Sequence, residues 1–249
     1  MEVLHDLLGY PNRKIYEDTR WFSFSLDSVL LSHFVSVSLS AKRILDLGTG
    51  TAPIPLILSM RTKAQIYGVE IQRDVSLLAQ KSVAYNQLER QITIFSQDMK
   101  EFSNQTESDF FDVITVNPPY FKRQDCSYLN LEEHKQIARH EMKITLEEIF
   151  PILRKLLKNG GNFAMIHRTE RLMDILLLCR QYGLEPKRLQ LVYPKPGANS
   201  NMVLVEGVKN GKPGLKILEP FYVHKPDGSY TNRYQSMMKE VTNEKSKEL

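Results

Sequence analysis

Short apolar segments of strand length alternate with segments of helical periodicity through most of this chain. The predicted strands are 43–48, 64–70, 91–98, 111–117, 162–168, 189–194 and 201–208, with an edge strand at 215–223. The predicted helices are 53–60, 75–88, 145–158 and a segment from Leu172 that ends at Gly183. Strands that alternate with helices form a mostly parallel sheet covered on both faces. The pattern therefore predicts an α/β fold with its ligand at the carboxyl ends of the strands.

The chain is predicted to form one domain with two flanking segments. The last two long strands have no helix between them, so we expect an antiparallel hairpin at one edge of the sheet. Residues 1–40 are expected to be an extension, a strand or arm plus a short helix, that packs on the core. Residues 41–225 form the predicted domain, and the polar segment 226–249 is expected to be a flexible tail.

The helix predicted at 145–158 has clear start and stop signals. Thr145 and Glu148 form a capping box at its beginning. Pro151 is expected to kink it, because proline lacks a backbone N–H. The pair Gly160-Gly161 is expected to end it.

Composition excludes several classes of protein. The chain has 249 residues, of which 42% are hydrophobic, enough for a sizeable core. The net charge of +4 is only a mild indication of a polyanionic partner. Cys126 and Cys179 match no metal or redox spacing, and no apolar run is long enough to span a bilayer. We expect a cytoplasmic protein, a monomer or weak homodimer, with no metal and no membrane partner.

A glycine-rich loop follows the first strand of the sheet and precedes a helix. The segment "LDLGTGTAP" (45–53) places Gly48 and Gly50 where the backbone can turn tightly and approach a ligand. It fails as a G-x-G-x-x-G dinucleotide fingerprint because Pro53 stands at the last glycine position. A tight strand–helix turn without a ligand is the alternative.

Three acidic residues end three successive predicted strands. Asp46 lies in the first strand, Glu70 ends the second and Asp98 ends the third. An acid at the position of Glu70 can accept hydrogen bonds from both hydroxyls of a ribose. Each acid alone could be a solvated carboxylate at a strand end, which is the commoner fate of a single aspartate. Their recurrence at one edge of the sheet favours a shared ligand.

The loop and the acids together resemble class I S-adenosylmethionine-dependent methyltransferases. The segment fits their D-x-G-x-G-x-G motif except that Ala52 replaces the last glycine. The resemblance implies a Rossmann-like fold with a seven-stranded sheet and S-adenosylmethionine as cofactor. Asp46 would act on the loop and on the methionine end of the cofactor, and Asp98 and Met99 would lie near the adenine.

The segment Asn117-Pro118-Pro119-Tyr120 ends the fourth strand. It resembles the (D/N/S)PP(Y/F/W) motif of enzymes that methylate planar amino groups. The Asn117 and Pro118 carbonyls can accept hydrogen bonds from an amino group and free its lone pair for attack, while the prolines fix φ. Tyr120 can stack on a flipped base. A Pro-Pro turn after a strand is the alternative.

Further segments narrow the resemblance to the bacterial tRNA-Val adenine-37 N6-methyltransferase family. They are "FSLDSVLL" (24–31), "KQIARHE" (135–141), "MIHRTERL" (165–172) and "YPKPGANSNMVLVEG" (193–207). The resemblance implies methyl transfer to adenine N6 in tRNA, with Asn117 also touching the cofactor and Asp27 helping to cover it. Asp27 could equally cap a helix. The expected substrate-binding residues are Pro119, Tyr120, Phe121, Arg139, His140, Arg168 and Lys195.

Other functions remain open from the sequence. Arg139 and His140 could belong to an ordinary charged loop, and Arg168 and Lys195 to a solvated face. A glutamine amide methyltransferase usually has a helical domain ahead of the first motif, and an rRNA guanine-N2 methyltransferase a duplicated domain; neither is evident. A non-catalytic RNA- or cofactor-binding scaffold would not need Asn117 and Tyr120.

Overall fold

The computed structural model describes residues 1–7, 10–18, 26–118 and 144–243. Two strands form an N-terminal hairpin, and nine others form the central sheet. The strands are β1 (Glu2–Leu7), β2 (Tyr10–Asp18), β3 (Arg43–Leu47), β4 (Gln65–Glu70), β5 (Ile92–Ser96), β6 (Phe111–Val116), β7 (Leu157–Arg168), β8 (Leu184–Tyr193), β9 (Met202–Lys209), β10 (Lys216–Ile217) and β11 (Phe221–Tyr222).

Seven α-helices lie in the described part of the chain. They are α1 (Leu26–Phe34), α2 (Pro53–Leu58), α3 (Arg73–Tyr85), α4 (Met99–Gln105), α5 (Leu146–Leu156), α6 (Leu172–Gln181) and α7 (Asn232–Asn243). A short 3-10 turn, Thr169–Arg171, precedes α6.

The seven long strands of the sheet follow the order β8-β9-β7-β6-β3-β4-β5. The strands from β7 to β5 in this order are parallel to their neighbours, and β9 is antiparallel to both β7 and β8. This confirms the predicted mostly parallel sheet with a C-terminal antiparallel hairpin, and the short strands β10 and β11 extend the predicted seven strands to nine. The order reverses at β3, which lies between β4 and β6, so the ligand site is expected at the carboxyl end of β3.

Helices cover both faces of the sheet, as predicted. On one face α1, α2, α3, α7 and the N-terminal hairpin pack against residues such as Ile44 and Ile66, which are almost fully buried. On the other face α4, α5 and α6 pack against Leu45, Phe111 and Phe163. Because side chains alternate along a strand, neighbouring residues of β3 pack on opposite faces of the sheet.

The predicted stop of the helix at Gly160-Gly161 is wrong. The helix α5 ends at Leu156, and β7 begins at the next residue and runs through both glycines. The pairing of β7 with β6 shifts register there, so the extra residues form a bulge. Gly160 has φ +77°, and a Cβ on Gly161 would lie 3.0 Å from the Asp112 carbonyl oxygen. The glycines therefore serve the bulge rather than a helix end.

The C-terminal expectations also need correction. The segment from residue 226, expected to be a flexible tail, contains the helix α7, whose Tyr234 and Met237 are buried. The Thr231 hydroxyl accepts the Tyr234 N–H at 3.2 Å and caps this helix. The single strand predicted at 215–223 is two short strands, β10 and β11, separated by a segment that contains Pro220, which cannot donate to a ladder.

Candidate active site

The glycine-rich loop turns back over the end of β4 immediately after β3. The backbone N–H groups of Gly48 and Thr49 both donate to the Val69 carbonyl oxygen, at 2.9 and 3.0 Å. Gly48 and Gly50 have φ of +71° and +57°, and a Cβ on either would meet no atom within 4 Å. The loop therefore borders open space that only glycine leaves clear, as a closely approaching ligand requires.

Ala52 occupies the third turn position of this loop in a left-handed conformation. Its φ is +71°, and its side chain is fully buried. For a residue other than glycine this conformation costs roughly 1–2 kcal/mol. The replacement of the motif's last glycine by Ala52 therefore leaves a left-handed position in the loop that alanine occupies with strain.

Asp46 lies in β3 with its side chain fully buried. Its Oδ1 accepts a 2.6 Å hydrogen bond from the Thr115 hydroxyl on the neighbouring strand β6. Its Oδ2 has no hydrogen-bond partner among the described residues. Burial raises the pKa of Asp46 to about 7, against the lowering effect of the Thr115 and Thr49 hydroxyls. An unsatisfied buried carboxylate oxygen beside an open loop fits a cationic ligand group, such as the ammonium of an amino acid.

Glu70 joins the end of β4 to the loop. Its Oε2 accepts the Gly50 N–H at 3.0 Å, and its Oε1 accepts the Gln72 N–H at 2.9 Å. Burial raises the pKa of this carboxyl above its usual range, although the backbone N–H groups of Gln72 and Gly50 oppose that shift. Each carboxylate oxygen retains a second lone pair, so Glu70 can hold the loop and still accept hydroxyl hydrogen bonds.

Asp98 and Met99 lie just beyond β5, which ends at Ser96 and not at Asp98 as the sequence predicted. Asp98 is the N-cap of α4, and its Oδ1 accepts the Lys100 N–H at 2.6 Å. Met99 is half-buried against the core cluster around Phe111. One oxygen of Asp98 therefore caps a helix, a role that the sequence analysis did not consider for this residue, and the other oxygen is the one that could face a ligand.

Asn117 and Pro118 immediately follow β6, the strand next to β3, which contains Asp46. Thr115, which bonds Asp46, is two residues before Asn117 on the same strand. The Asn117 Nδ2 donates to the Ser28 hydroxyl oxygen at 3.2 Å, so the start of α1 lies against the Asn-Pro segment. Asp27 is the half-buried neighbour of Ser28 in the first turn of α1. The structure therefore brings Asp46, Glu70, Asn117 and Asp27 to one end of the sheet.

Two residues of this cluster were missed by sequence reasoning. Thr115 is a polar residue within the apolar strand segment, and Ser28 follows the predicted Asp27. Both are buried, which means that their hydroxyls need partners inside the protein. A buried hydroxyl within an apolar run was the available signal, but the sequence does not reveal its partner.

The remaining predicted substrate residues divide into two groups. Arg168 at the end of β7 and Lys195 after β8 are exposed at the same edge of the sheet as the acids. The neighbouring His167 is buried, and burial together with Arg171 lowers its pKa to about 4, so it is neutral at physiological pH. Pro119, Tyr120, Phe121, Arg139 and His140 lie outside the described residues.

The described residues contain neither a cluster of metal-ligating side chains nor a helix that could span a membrane. Among residues 1–7, 10–18, 26–118 and 144–243, no group of three or more His, Cys, Asp or Glu side chains could hold a metal ion. No helix of the described chain meets the length and hydropathy needed to cross a membrane.

Comparison with known proteins places the chain among methyltransferases. The family model for the methyltransferase small domain matches residues 25–177. A tRNA1(Val) (adenine(37)-N6)-methyltransferase of Parabacteroides distasonis is 31% identical over 77% of this chain and 79% of its own length. A protein of the same name from Bacteroides thetaiotaomicron is 28% identical over 91% of this chain and 92% of its own length.

Solved structures agree on the fold. A "predicted O-methyltransferase" from Agrobacterium tumefaciens has a TM-score of 0.67 at 19% identity, covering 85% of this chain and 95% of that one. TYW2 of Pyrococcus horikoshii, solved in complex with MeSAdo, has a TM-score of 0.60 at 13% identity, covering 84% and 72%. With the sequence relatives, these matches confirm the family that the motifs predicted. The chain belongs to the methyltransferase small domain family and, within it, to the group of the tRNA1(Val) (adenine(37)-N6)-methyltransferases.

Proposed function

We propose that this protein transfers a methyl group from S-adenosylmethionine to the exocyclic N6 of an adenine in tRNA, with adenine 37 of tRNA-Val as the expected target. The names of the relatives support the base and the RNA class. A tRNA substrate also fits the expected cytoplasmic location and the mild positive charge of the chain.

One structural observation carries the proposal. Asp46 in β3 and the amide of Asn117 are linked through β6, because Thr115 of β6 bonds Asp46 and Asn117 directly follows the same strand. A ligand held at Asp46 and an amino group held at Asn117 would therefore meet at one end of the sheet. Transfer between two bound groups depends mainly on such positioning, which can lower a barrier by roughly 7–11 kcal/mol.

The cofactor site would use the residues that border the open loop. Gly48 and Gly50 would let the backbone approach the cofactor, and Asp46 Oδ2 would accept from its ammonium group. Glu70 would accept from the ribose hydroxyls, while Asp98 and Met99 would border the adenine. When bound there, S-adenosylmethionine supplies an electrophilic methyl group.

Asn117 and Pro118 would prepare the substrate amine. An adenine amino nitrogen shares its lone pair with the ring and is a poor nucleophile. Acceptance of its N–H groups by the Asn117 side-chain oxygen and the Pro118 carbonyl oxygen would favour a tetrahedral nitrogen with an available lone pair. Pro118 is buried and has a fixed φ, so its carbonyl can stay aimed. The proton lost from the nitrogen can pass to solvent, and no strong base is required.

The first test is transfer of tritium from labelled S-adenosylmethionine to three substrates: tRNA lacking the modification, rRNA and a release factor. The expected result is label in N6-methyladenosine after digestion of the tRNA. Label only in the release factor would mean that the substrate is a glutamine side-chain amide. Label in guanine of rRNA would mean that the substrate is the N2 amino group of guanine. Cofactor binding without any transfer would favour the scaffold function.

The role of Asn117 has its own test. Asn117→Ala should keep cofactor binding and reduce transfer by roughly a hundredfold or more, because it removes an acceptor aimed at the reacting group. Asn104→Ala, an exposed asparagine on α4, is the matched control and should keep wild-type transfer. Full transfer by Asn117→Ala would refute the mechanism while leaving the substrate assignment intact.

A further inference from the structure

We propose that the turn 224–230, between β11 and α7, is a docking site for an unpaired nucleotide of the tRNA: the base stacks on the imidazole of His224, and Lys195 and Lys225 contact the phosphates. The inference rests on the proposed function. It assigns a binding role to a segment that follows residues 25–177, which the methyltransferase family model matches.

The turn lies at the edge of the sheet that carries the proposed active site. A row of paired residues crosses four strands close to this edge: Arg168, Met202, Val192 and Phe221. From this row β7, β8 and β11 all run towards the edge, so His224 lies beyond it. Four strand spacings separate β6 from β11, roughly 19 Å at about 4.8 Å each. An RNA with its adenine at Asn117 can therefore reach the turn with a nucleotide several positions away.

Three aromatic rings form a column at the turn. The ring centroids of Tyr230 and Tyr234 lie 4.4 Å apart with the planes at 16°, and those of Tyr230 and His224 lie 4.8 Å apart at 25°. Tyr234 is 7% exposed and belongs to the core, whereas Tyr230 is 46% exposed. No other aromatic ring of the described residues stacks on His224, so the column ends at its imidazole. A base placed there extends a stack that already exists.

The imidazole is held in place by the protein itself. The backbone N–H of His224 donates to the Pro194 carbonyl oxygen at 2.9 Å, and the ring Nδ1 lies 3.2 Å from the same oxygen. This contact is made by the edge of the ring and does not use its face. The Lys225 N–H donates to the Ser229 carbonyl oxygen at 2.7 Å and closes the turn. A ring that is already fixed loses little freedom on binding, so more of the stacking free energy becomes affinity.

The charges around the turn suit a polyanion. Lys195 is exposed and Lys225 is half-buried, and neither forms an ion pair with a carboxylate of the described residues. Asp227 is the acid of the turn, and its Oδ1 accepts the Ser229 N–H at 2.9 Å and the Ser229 hydroxyl at 2.7 Å. Lysines beside an aromatic ring are the usual means of binding single-stranded nucleic acid, because phosphates and bases are held together.

The first test measures equilibrium binding of fluorescently labelled tRNA, with S-adenosylhomocysteine present, and steady-state kinetics. His224→Ala is expected to raise the Kd and KM for tRNA roughly tenfold, with kcat and the cofactor Kd within about twofold, because only a stacked base is lost. His224→Phe keeps a flat ring and should stay within about threefold of the wild-type Kd. Tyr85→Ala removes a ring that is 51% exposed on α3 and is the matched control, with wild-type Kd expected.

The second test measures how the Kd for tRNA depends on salt. Each phosphate contact that is removed should reduce the slope of log Kd against log salt concentration by about 0.7, so Lys195→Ala with Lys225→Ala should reduce it by about 1.4. Lys212→Ala is the matched control, because this exposed lysine follows β9 at the opposite edge of the sheet. An unchanged slope in the double variant would mean that the phosphates bind elsewhere, and would overturn the inference.

A purely structural role of the column gives a different result. If the rings only join the turn to α7, His224→Ala should lower the free energy of unfolding and leave the Kd for tRNA unchanged, which would overturn the inference. Failure of the proposed function is also distinct, because the wild-type protein would then methylate no tRNA. Wild-type methylation, together with a wild-type Kd in His224→Ala and a wild-type salt slope in the double lysine variant, would refute the docking site alone.

Discussion

Asp46→Asn is expected to stabilise the protein at pH 8 while weakening its cofactor site. Asp46 is fully buried, with one oxygen bonded to Thr115 and the other without a partner among the described residues. Above neutral pH its carboxylate is ionised in surroundings that disfavour charge. The amide of asparagine has nearly the same shape and carries no charge, so the substitution removes this unfavourable term.

The magnitude follows from the pKa. Burial raises the pKa of Asp46 from 3.8 to about 7. At 1.36 kcal/mol per pH unit, ionisation of the folded protein costs about 4 kcal/mol more than ionisation of the unfolded chain. The asparagine NH₂ would lack a partner where Oδ2 now lies, at a cost of about 1–3 kcal/mol. We therefore expect a net gain of about 1–3 kcal/mol in the free energy of unfolding at pH 8.

The free energy of unfolding should change with pH in a direction that the raised pKa of Asp46 determines. Because the folded-state pKa is the higher one, the stability linked to the Asp46 proton is complete below pH 4 and is lost as the pH rises through about 7. The free energy of unfolding, measured by urea titration from pH 4 to pH 8.5, should fall over this window in the wild type and less steeply in Asp46→Asn. Glu107→Gln, at an exposed carboxylate, is the control. A variant less stable than the wild type at pH 8 would refute the reasoning.

Further predictions concern the glycine-rich loop, the affinity for the cofactor, and Asp112 near the start of β6. Gly50→Ala should destabilise the fold by roughly 1–2 kcal/mol because of the strain at φ +57°, and its methyl group in the open loop should raise the cofactor Kd at least tenfold. The control Gly228→Ala, at φ +85°, should destabilise the fold similarly and leave the Kd unchanged. Calorimetry measures both quantities. Cofactor affinity should rise from pH 6 to pH 8 as Asp46 ionises, and Asp46→Asn should abolish this rise. Asp112 is partly buried, which opposes ionisation, but Lys158 and the N–H groups of Lys42 and Arg43 hold its pKa below the usual range. Asp112→Asn should therefore lower the free energy of unfolding by about 1–2 kcal/mol at pH 7. The difference should be smaller below pH 4, where protonation of Asp112 removes the same stabilisation from the wild type.

The sheet and the loop were predictable because their signals are local. Apolar runs such as 43–48 and 64–70 identify buried strands without knowledge of their neighbours. The glycines of the loop mark left-handed positions, and their φ values of +71° and +57° agree. The convergence of Asp46 and Glu70 followed from the rule that parallel strands place their carboxyl ends at one edge.

The errors arose where a local signal has more than one structural use. Gly160 does adopt a positive φ, as a helix end would require, but it does so within a bulge of β7. Tyr234 and Met237, three residues apart, and the capping Thr231 were signals for α7 that the polar composition of the tail obscured. The partners of Ser28 and Thr115 depend on which elements pack together, which periodicity does not specify.

The contact between α7 and β2 has a consequence for how the protein is made. Tyr10–Asp18 lies near one end of the sequence and Asn232–Asn243 near the other, yet the two segments pack against each other. During synthesis the hairpin leaves the ribosome early and must wait for α7 before this contact can form. Contacts so distant in sequence form late and slow folding. The hairpin therefore exposes part of its surface on the nascent chain until residues 19–231 have been synthesised, when a chaperone that binds exposed apolar segments could protect it.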